Sequence, residues 1–222
     1  NNAKTSYKRL ASFMEETQED DVSEKNKGAI RREKLGSIEF KDTTYRYPEA
    51  DLDTLRSINL SVNEGEKVAI LGRNGSGKST LMKLASGLFK ASDGLVMYDG
   101  VDIKQLHTDD LSRSIGIVLQ DVQLFSGSIR ENITMGREDI NQDDLINAGK
   151  LSGLDDFVSK IPGGYDLQLS DGGKGLSGGQ RQSIALARAI VHKPSHVILD
   201  EPTSAMDMNR ENISRRQMRA IR

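Results

Sequence analysis

The chain has 222 residues, 36% hydrophobic and 29% charged, with 31 Lys and Arg against 33 Asp and Glu (formal net charge −2) and no cysteine. That is room for one core-burying domain, or for a domain with a subdomain and a tail. It excludes disulfides and thiolate metal centres, gives no basic footprint for nucleic acid, and holds no apolar run near the ~18 residues of a membrane span.

From the N-terminus, residues 1–36 differ from the rest. Fifteen of them are charged, in opposite-sign clusters at Glu15–Asp21 and Arg31–Lys34. This composition predicts a solvated linker or a marginal helix, or a connector leading in from a domain absent here. From Ser37 the chain alternates (Ser37-Ile38-Glu39-Phe40-Lys41), and Leu55–Val62 alternates again with Pro48–Asp53 as the turn, which predicts an antiparallel β element. Tyr45 and Tyr47 stand just ahead of that turn. Such an aromatic stacks on a base or packs on the sheet face, and spacing does not separate the two.

Next, the apolar run Val68–Leu71 leads into Gly72-Arg73-Asn74-Gly75-Ser76-Gly77-Lys78-Ser79-Thr80 and a helix-like Leu81–Ala85. Strand, glycine loop and helix in that order are the context of a phosphate-binding P-loop. Gly72, Gly75 and Gly77 allow unusual turns and bring bare N–H groups to phosphate oxygens. The helix start adds its positive dipole end, Lys78 reaches the β- and γ-phosphates, and the Ser79 hydroxyl suits Mg²⁺.

Leu95–Tyr98 predicts a short strand closed by the hairpin dipeptide Asp99-Gly100. Ile115–Leu119 predicts a buried strand with Gln120 at its carboxyl end, where ligands bind in open α/β sheets, so Gln120 is placed to touch a metal or its water. Residues 121–165 carry little β signal. Ser128–Thr134 and Asn141–Lys150 predict helices, with Asn141 and Ser152 as N-caps, and Pro162-Gly163-Gly164 ends this helical insertion.

Leu176-Ser177-Gly178-Gly179-Gln180 then precedes the helix-former run Arg181–His192. Ser177 suits an N-cap, and the glycines leave first-turn N–H groups uncovered, either an anion site or a plain Gly-rich helix start. Val197–Glu201 predicts a buried strand ending in two acids. Asp200 there suits a second Mg²⁺ contact, and Glu201 could polarise an attacking water. Ser204–Asp207 predicts a tight turn and Asn209–Arg222 a charged helix, while His107, His192 and His196 lack metal-ligand spacing and read as surface or strand-edge residues.

Together these stretches resemble the nucleotide-binding domain of ATP-binding cassette (ABC) transporters, from about Gly36 to Asp207. Gly72–Thr80 resembles Walker A, Val197–Asp200 Walker B, Leu176–Gln180 the LSGGQ signature, Gln120 the Q-loop and Ser204–Asp207 the D-loop. Tyr47 falls where the family's adenine-stacking aromatic lies. Leu124–Ile133 (LFSGSIRENI) resembles the exporter branch, and more narrowly the ATPases of bacterial type I protein or peptide secretion.

The resemblance implies an α/β fold: a P-loop NTPase (RecA-like) core with an antiparallel β element and an inserted helical subdomain, about residues 121–180 of a domain spanning 37–222. It implies ATP and Mg²⁺ as cofactors. Lys78, Gln120 and Glu201 would form the catalytic set, Glu201 as general base, and Ser79, Gln120 and Asp200 would hold the metal. Tyr47, Gly72, Asn74, Gly75, Ser76, Gly77, Lys78, Ser79 and Thr80 would bind ATP in one chain. Ser177, Gly178, Gly179, Gln180 and Asp207 would complete the site across a head-to-tail homodimer. It further implies a transmembrane domain ahead of residue 1, with residues 1–36 as the linker from it, no nucleic-acid partner, and a place at the cytoplasmic face of the inner membrane.

Three departures stand against it. Gln168 lies where exporters often carry a glutamate, and Met206 where leucine is usual. The family's γ-phosphate histidine lies on a strand beyond the D-loop helix, but only 21 residues follow Glu201 (222 − 201), room for one helix. The expectation is a C-terminally incomplete domain of marginal stability. Two further readings remain: an ATP-binding dimerisation module with little hydrolysis, and a soluble cassette ATPase of DNA repair or translation, which the charge balance and the exporter-like stretch disfavour.

Overall fold

The computed structural model describes residues 28–200. Glu201, the Ser204–Asp207 turn, the Asn209–Arg222 helix and residues 1–27 of the predicted linker lie outside the described residues. Eight strands and six α-helices are described: β1 (Ile38–Tyr45), β2 (Leu55–Val62), α1 (Lys78–Ala85), β3 (Asp93–Tyr98), β4 (Val101–Asp102), α2 (Thr108–Ser114) and β5 (Ile115–Val118), then β6 (Gly127–Ser128), α3 (Ile129–Thr134), α4 (Gln142–Ser152), α5 (Asp155–Val158), β7 (Gln168–Leu169), α6 (Gly178–Ile190) and β8 (His196–Leu199).

The predicted antiparallel element is a four-stranded sheet, β2-β1-β3-β4. β1 does not hold one alternation along its length: Ile38 and Phe40 are buried, then Thr43 and Tyr45. The phase changes at Lys41–Asp42, where the register with both neighbours shifts and Asp42 takes φ 45. An extra residue in one strand swaps which side chains face inward, which is the effect of a β-bulge. The Asp42 N–H donates to Asn59 Oδ1 (3.0 Å) and Asn59 Nδ2 to Asp42 Oδ1 (2.7 Å), so β2 takes up the unpaired backbone. Asp99 and Gly100 both adopt positive φ (48 and 76) and close the β3–β4 hairpin, as that dipeptide predicts.

The second sheet is parallel, with β5 against β8 from Ile115–His196 to Val118–Leu199. It separates two cores. Ile115 and Ile198 join the cluster of Phe40, Leu84, Val96 and Tyr98, while Val118, Val197 and Leu199 join that of Ile129, Ile133, Leu145 and Ile184. Adjacent residues of β8 thus serve opposite faces, as the pleat requires. The helices α3, α4, α5 and α6 surround the second cluster.

Two local expectations need correction. Val68–Leu71 joins no ladder among the described strands, and Val68 (46%) and Leu71 (91%) are exposed. An apolar run supplies side chains for a strand, but a strand also needs a hydrogen-bonded neighbour, and none of the described strands pairs with it. Ser152 does not cap a helix start: it is the last residue of α4, its hydroxyl donating to Gly149 O (3.1 Å) and accepting from Leu154 N–H (3.4 Å). Asn141 caps α4 as predicted, and Ser128 with Glu131 forms a capping box on α3. The region also carries a two-residue pairing, β6 with β7, too short to give a periodic signal. Within the described part of the predicted linker, the Ile30 N–H donates to Gln105 O (2.8 Å) in the turn after β4, and Leu35 is 2% exposed.

His192 Nε2 and His196 Nδ1 are buried without a hydrogen-bond partner, and His196 packs edge-on against Tyr98 (5.1 Å between centroids). Burial holds both imidazoles below the ordinary histidine value. The unfolded chain therefore takes up these protons first. Their contribution to stability is complete above the unfolded value of about 6.5 and is lost as pH falls from there toward the folded values. Asp144 is held below the ordinary carboxylate range by Lys193, and Asp139 by Arg137, so their contribution disappears only below about pH 4. The melting midpoint should fall in two steps on acidification, and His196→Phe should shrink the upper one. A midpoint flat from pH 7 to 5 would contradict this.

Candidate functional site

α1 begins from Gly77 in the left-handed region (φ 89), with no side chain capping its first turn. Glycine is required there twice over. A Cβ would stand 2.7 Å from Leu55 Cδ2 and 3.3 Å from Thr54 O, so β2 packs directly on the loop backbone. Lys78 Nζ donates to Gly72 O (3.0 Å) and Arg73 O (3.1 Å), and the Ser76 N–H to Arg73 O (3.1 Å). The ammonium thus braces its own loop through neutral carbonyls. An anion is a better acceptor, because charge-assisted hydrogen bonds are roughly twice as strong.

Above this loop lies a cavity of ≈ 480 Å³, lined by Tyr47, Thr54, Asn74, Gly75, Gly77, Lys78, Ser79, Thr80 and Gln120. The volume suits a small ligand. Among the described residues its lining has hydroxyls, amides, bare loop backbone, one ammonium and one aromatic ring, and no carboxylate. That inventory favours a polyanion with an aromatic end.

The ring is held on two sides. Tyr47 meets Tyr45 and Phe89 edge to face at centroid distances of 5.1 and 5.7 Å, while Tyr45 and Phe89 stack at 5.1 Å. The Tyr47 hydroxyl lies 3.1 Å from Thr80 Oγ1. Burial, and then the neighbouring Tyr47, raises the Tyr45 phenol above its usual value.

Seven of the fourteen predicted cofactor residues, Tyr47, Asn74, Gly75, Gly77, Lys78, Ser79 and Thr80, converge on the cavity. Gly72 and Ser76 belong to the loop without lining the cavity, and Gly72 is read through its carbonyl on Lys78. Asp200 is buried (4% exposed), its N–H bonded to Val118 O (2.9 Å), and does not line the cavity. Ser177–Gln180 do not line it either. They start α6, where Ser177 Oγ accepts from the Gln180 N–H (3.2 Å) and Gln180 Oε1 from the Ser177 N–H (2.7 Å). Ser177 is thus the N-cap, as predicted, and Gln180 completes a capping box that satisfies one first-turn N–H. Glu201 and Asp207 lie outside the described residues.

Two residues were not anticipated. Thr54 reaches the cavity because β2 packs on Gly77, and nothing in its local sequence signals that. Arg188, on the mostly apolar α6, donates to Asn132 O (2.7 Å) and Gln123 O (3.0 Å) and lies 5.4 Å from the Phe125 ring centroid. An arginine on a buried helix face was the available signal.

Residues 55–204 match the profile of the ABC transporter family. The chain belongs to the ABC transporter family. Among curated relatives, the cyclolysin secretion/processing ATP-binding protein of Bordetella pertussis is 44% identical over 186 residues, 84% of this chain and 26% of that protein. An uncharacterized ABC transporter ATP-binding protein of Bacillus subtilis is 41% identical over 209 residues, covering 94% of this chain and 36% of the other. An exotoxin translocation ATP-binding protein of Pasteurella aerogenes is 43% identical over 187 residues, 84% and 26%. The solved structure of a bacterial Atm1-family ABC exporter with ATP bound superposes with a TM-score of 0.81 at 32% identity, covering 87% of this chain and 34% of that one. This ABC transporter chain thus spans about a quarter to a third of the length of these relatives. Its core has the P-loop NTPase fold. Among the described residues, no helix is long and apolar enough to cross a membrane.

Proposed function

We propose that this chain is the ATP-binding and hydrolysing motor of an exporter that moves a protein or peptide across the inner membrane. The observation that carries the reading is the cavity where Tyr47, the Gly72–Thr80 loop and Gln120 meet, with Lys78 as the charged group among the described residues that line it. The secretion and translocation proteins among its relatives support the exporter assignment.

In this reading Tyr47 carries the base, and Asn74, Gly75, Gly77 and α1's first turn take the phosphates together with Lys78 and Thr80. The Ser79 hydroxyl and Gln120 amide oxygen that line the cavity are neutral hard donors of the kind Mg²⁺ accepts and so fit the metal, and the charged donor of the set would be Asp200, buried at the end of β8. Bound there, Mg²⁺ would neutralise charge on the transferred phosphoryl oxygens. Glu201 is the general base for the attacking water. Residues 121–180 act as a helical subdomain whose Ser177–Gln180 turn, with Asp207, meets a second copy's nucleotide in a head-to-tail homodimer. Residues 1–36 link to a transmembrane domain, which holds the motor at the cytoplasmic face. Nucleic acid plays no part.

The test is Mg²⁺-dependent ATP hydrolysis at increasing protein concentration. The rate per chain should rise with concentration and fall at least a hundredfold (about 2.7 kcal/mol or more) in Glu201→Gln, the scale of losing one transition-state contact. Binding of ATP with no turnover at any concentration would overturn the motor reading and leave a nucleotide-binding module.

A further inference from the structure

Asn74-Gly75 is the one Asn-Gly pair in the sequence, and it lies within the Gly72–Thr80 loop. Asparagine is a thermolabile residue. Its amide carbon can close a five-membered ring with the nitrogen of the next peptide, unless hydrogen bonds or a following side chain keep the two apart. The other asparagines among the described residues are restrained. Asn59, Asn63, Asn132 and Asn141 spend their side chains in hydrogen bonds, and Asn147 lies inside α4 ahead of Ala148. Asn74 and Gly75 are instead exposed, at the centre of a turn that the Ser76 N–H closes on Arg73 O (3.1 Å). Gly75 takes φ 79, the value that the third position of a type II turn demands. Such a turn bonds its two ends and leaves the central peptide facing outward. Neither the Asn74 amide nor the Gly75 N–H has a partner among the described residues. A Cβ built on Gly75 would meet nothing within 4 Å, so no described group packs on that side of the peptide.

We propose that Asn74 is a site of spontaneous deamidation, open in the ligand-free chain and closed by a bound polyphosphate. The Gly75 nitrogen gives its proton to solvent and bonds to Asn74 Cγ, the Cγ–Nδ2 bond breaks, and ammonia leaves. Water then opens the resulting succinimide at either carbonyl. Cleavage between Gly75 N and Cγ gives an aspartyl residue. Cleavage between Gly75 N and the backbone carbonyl carbon gives an isoaspartyl residue, with the main chain running through Cγ. In sum, one amide and one water become one carboxylate and one ammonium ion, with no oxidant or reductant. Either product sets a negative charge on a cavity whose described lining holds one ammonium and no carboxylate. A phosphate held by the Gly75 N–H occupies the attacking nitrogen, so binding and deamidation exclude each other. This protection rests on the nucleotide reading of the cavity, whereas the modification itself does not.

The test ages the unsubstituted chain at mildly alkaline pH, alone and with MgATP or magnesium tripolyphosphate. Peptide mass mapping and an isoaspartate assay follow it, with calorimetric titration of ATP at intervals. Without ligand, Asn74 should convert ahead of Asn59 and Asn63, and ATP binding should be lost in step. With either ligand the rate should fall by the factor 1 + [L]/Kd, about a hundredfold at 100 Kd, because only the free chain reacts. Asn74→Asp, made directly, should bind MgATP at least about tenfold more weakly, since it places like charge beside the phosphates. Asn74→Gln, which would need a six-membered ring, should show no loss of binding on ageing. Survival of Asn74 alongside Asn59 and Asn63 would overturn the proposal. So would equal conversion with and without saturating MgATP in a chain that calorimetry shows to bind it. Conversion at Asn74 in a fresh chain that binds neither ligand would uphold the modification site and overturn the nucleotide reading. Melting midpoints matched to the parent show that each variant is folded, and the ageing of the unsubstituted chain decides the matter without them.

Discussion

Lys78→Ala is expected to weaken nucleotide binding about a thousandfold while leaving the fold intact. Lys78 Nζ makes two hydrogen bonds, both to carbonyls of its own loop, Gly72 O and Arg73 O. When phosphate oxygens take those donors, neutral acceptors are exchanged for charged ones, in a cavity that holds no other cation among the described residues. Two charge-assisted bonds at roughly 2 kcal/mol each are worth about 4 kcal/mol, or three decades in Kd. The folded state loses far less, because the two carbonyls freed on the exposed loop turn to water. Calorimetric titration with ATP and a melting curve check both halves together. Lys78→Arg should recover little, since a planar fork cannot stand in for a compact ammonium against paired phosphates. A loss of tenfold or less would mean that the loop backbone, and not the lysine, carries the affinity.

That site was legible in sequence wherever one contiguous stretch makes a whole device. Gly77-Lys78-Ser79-Thr80 builds its own turn, helix start and cation, and the Asp99-Gly100 hairpin and the Asn141 and Ser177 caps are complete within four residues. What a stretch needs from elsewhere was not legible. Val68–Leu71 reads as a strand from its side chains, yet a ladder needs a neighbour that a local window cannot contain. Thr54 enters the site only because Leu55 packs on Gly77. The bulge at Asp42 shifts the phase of β1 by one residue, and the first buried residue after it, Thr43, is polar, so no apolar side chain marks the change. The Tyr47–Thr80 bond is a tertiary contact between two residues, each of which reads singly as a nucleotide contact.

Gly116→Ala should cost the domain about 3 kcal/mol, the upper end of the usual range for overpacking and a large part of a typical stability of about 5–15 kcal/mol. Gly116 lies in β5, opposite Val197 of β8, in ordinary extended conformation, so backbone strain is not the issue. Space is. A Cβ would stand 2.9 Å from the Ala189 carbonyl carbon, nearer still to its oxygen, and 3.1 Å from Pro194 Cγ. The obstacle is backbone, so no nearby rotamer change can relieve it, and the end of α6 must move away from the sheet. That helix also carries the buried Ile184, Ala187 and Ile190 that close the second core, and a shift there opens space along its length. For a domain of this size the melting midpoint should drop by about 10 °C. Pro194→Ala should restore little of it, since it removes the milder contact and leaves the carbonyl in place. A drop of under 2 °C would show that α6 and β5 have slack between them. With slack there, the Ser177–Gln180 turn at the other end of α6 would not be held at a set distance from Gln120 at the end of β5, and the two could respond to a ligand separately. The steric figures argue for the opposite: one glycine lets helix and strand touch backbone to backbone, and the two segments move as one piece.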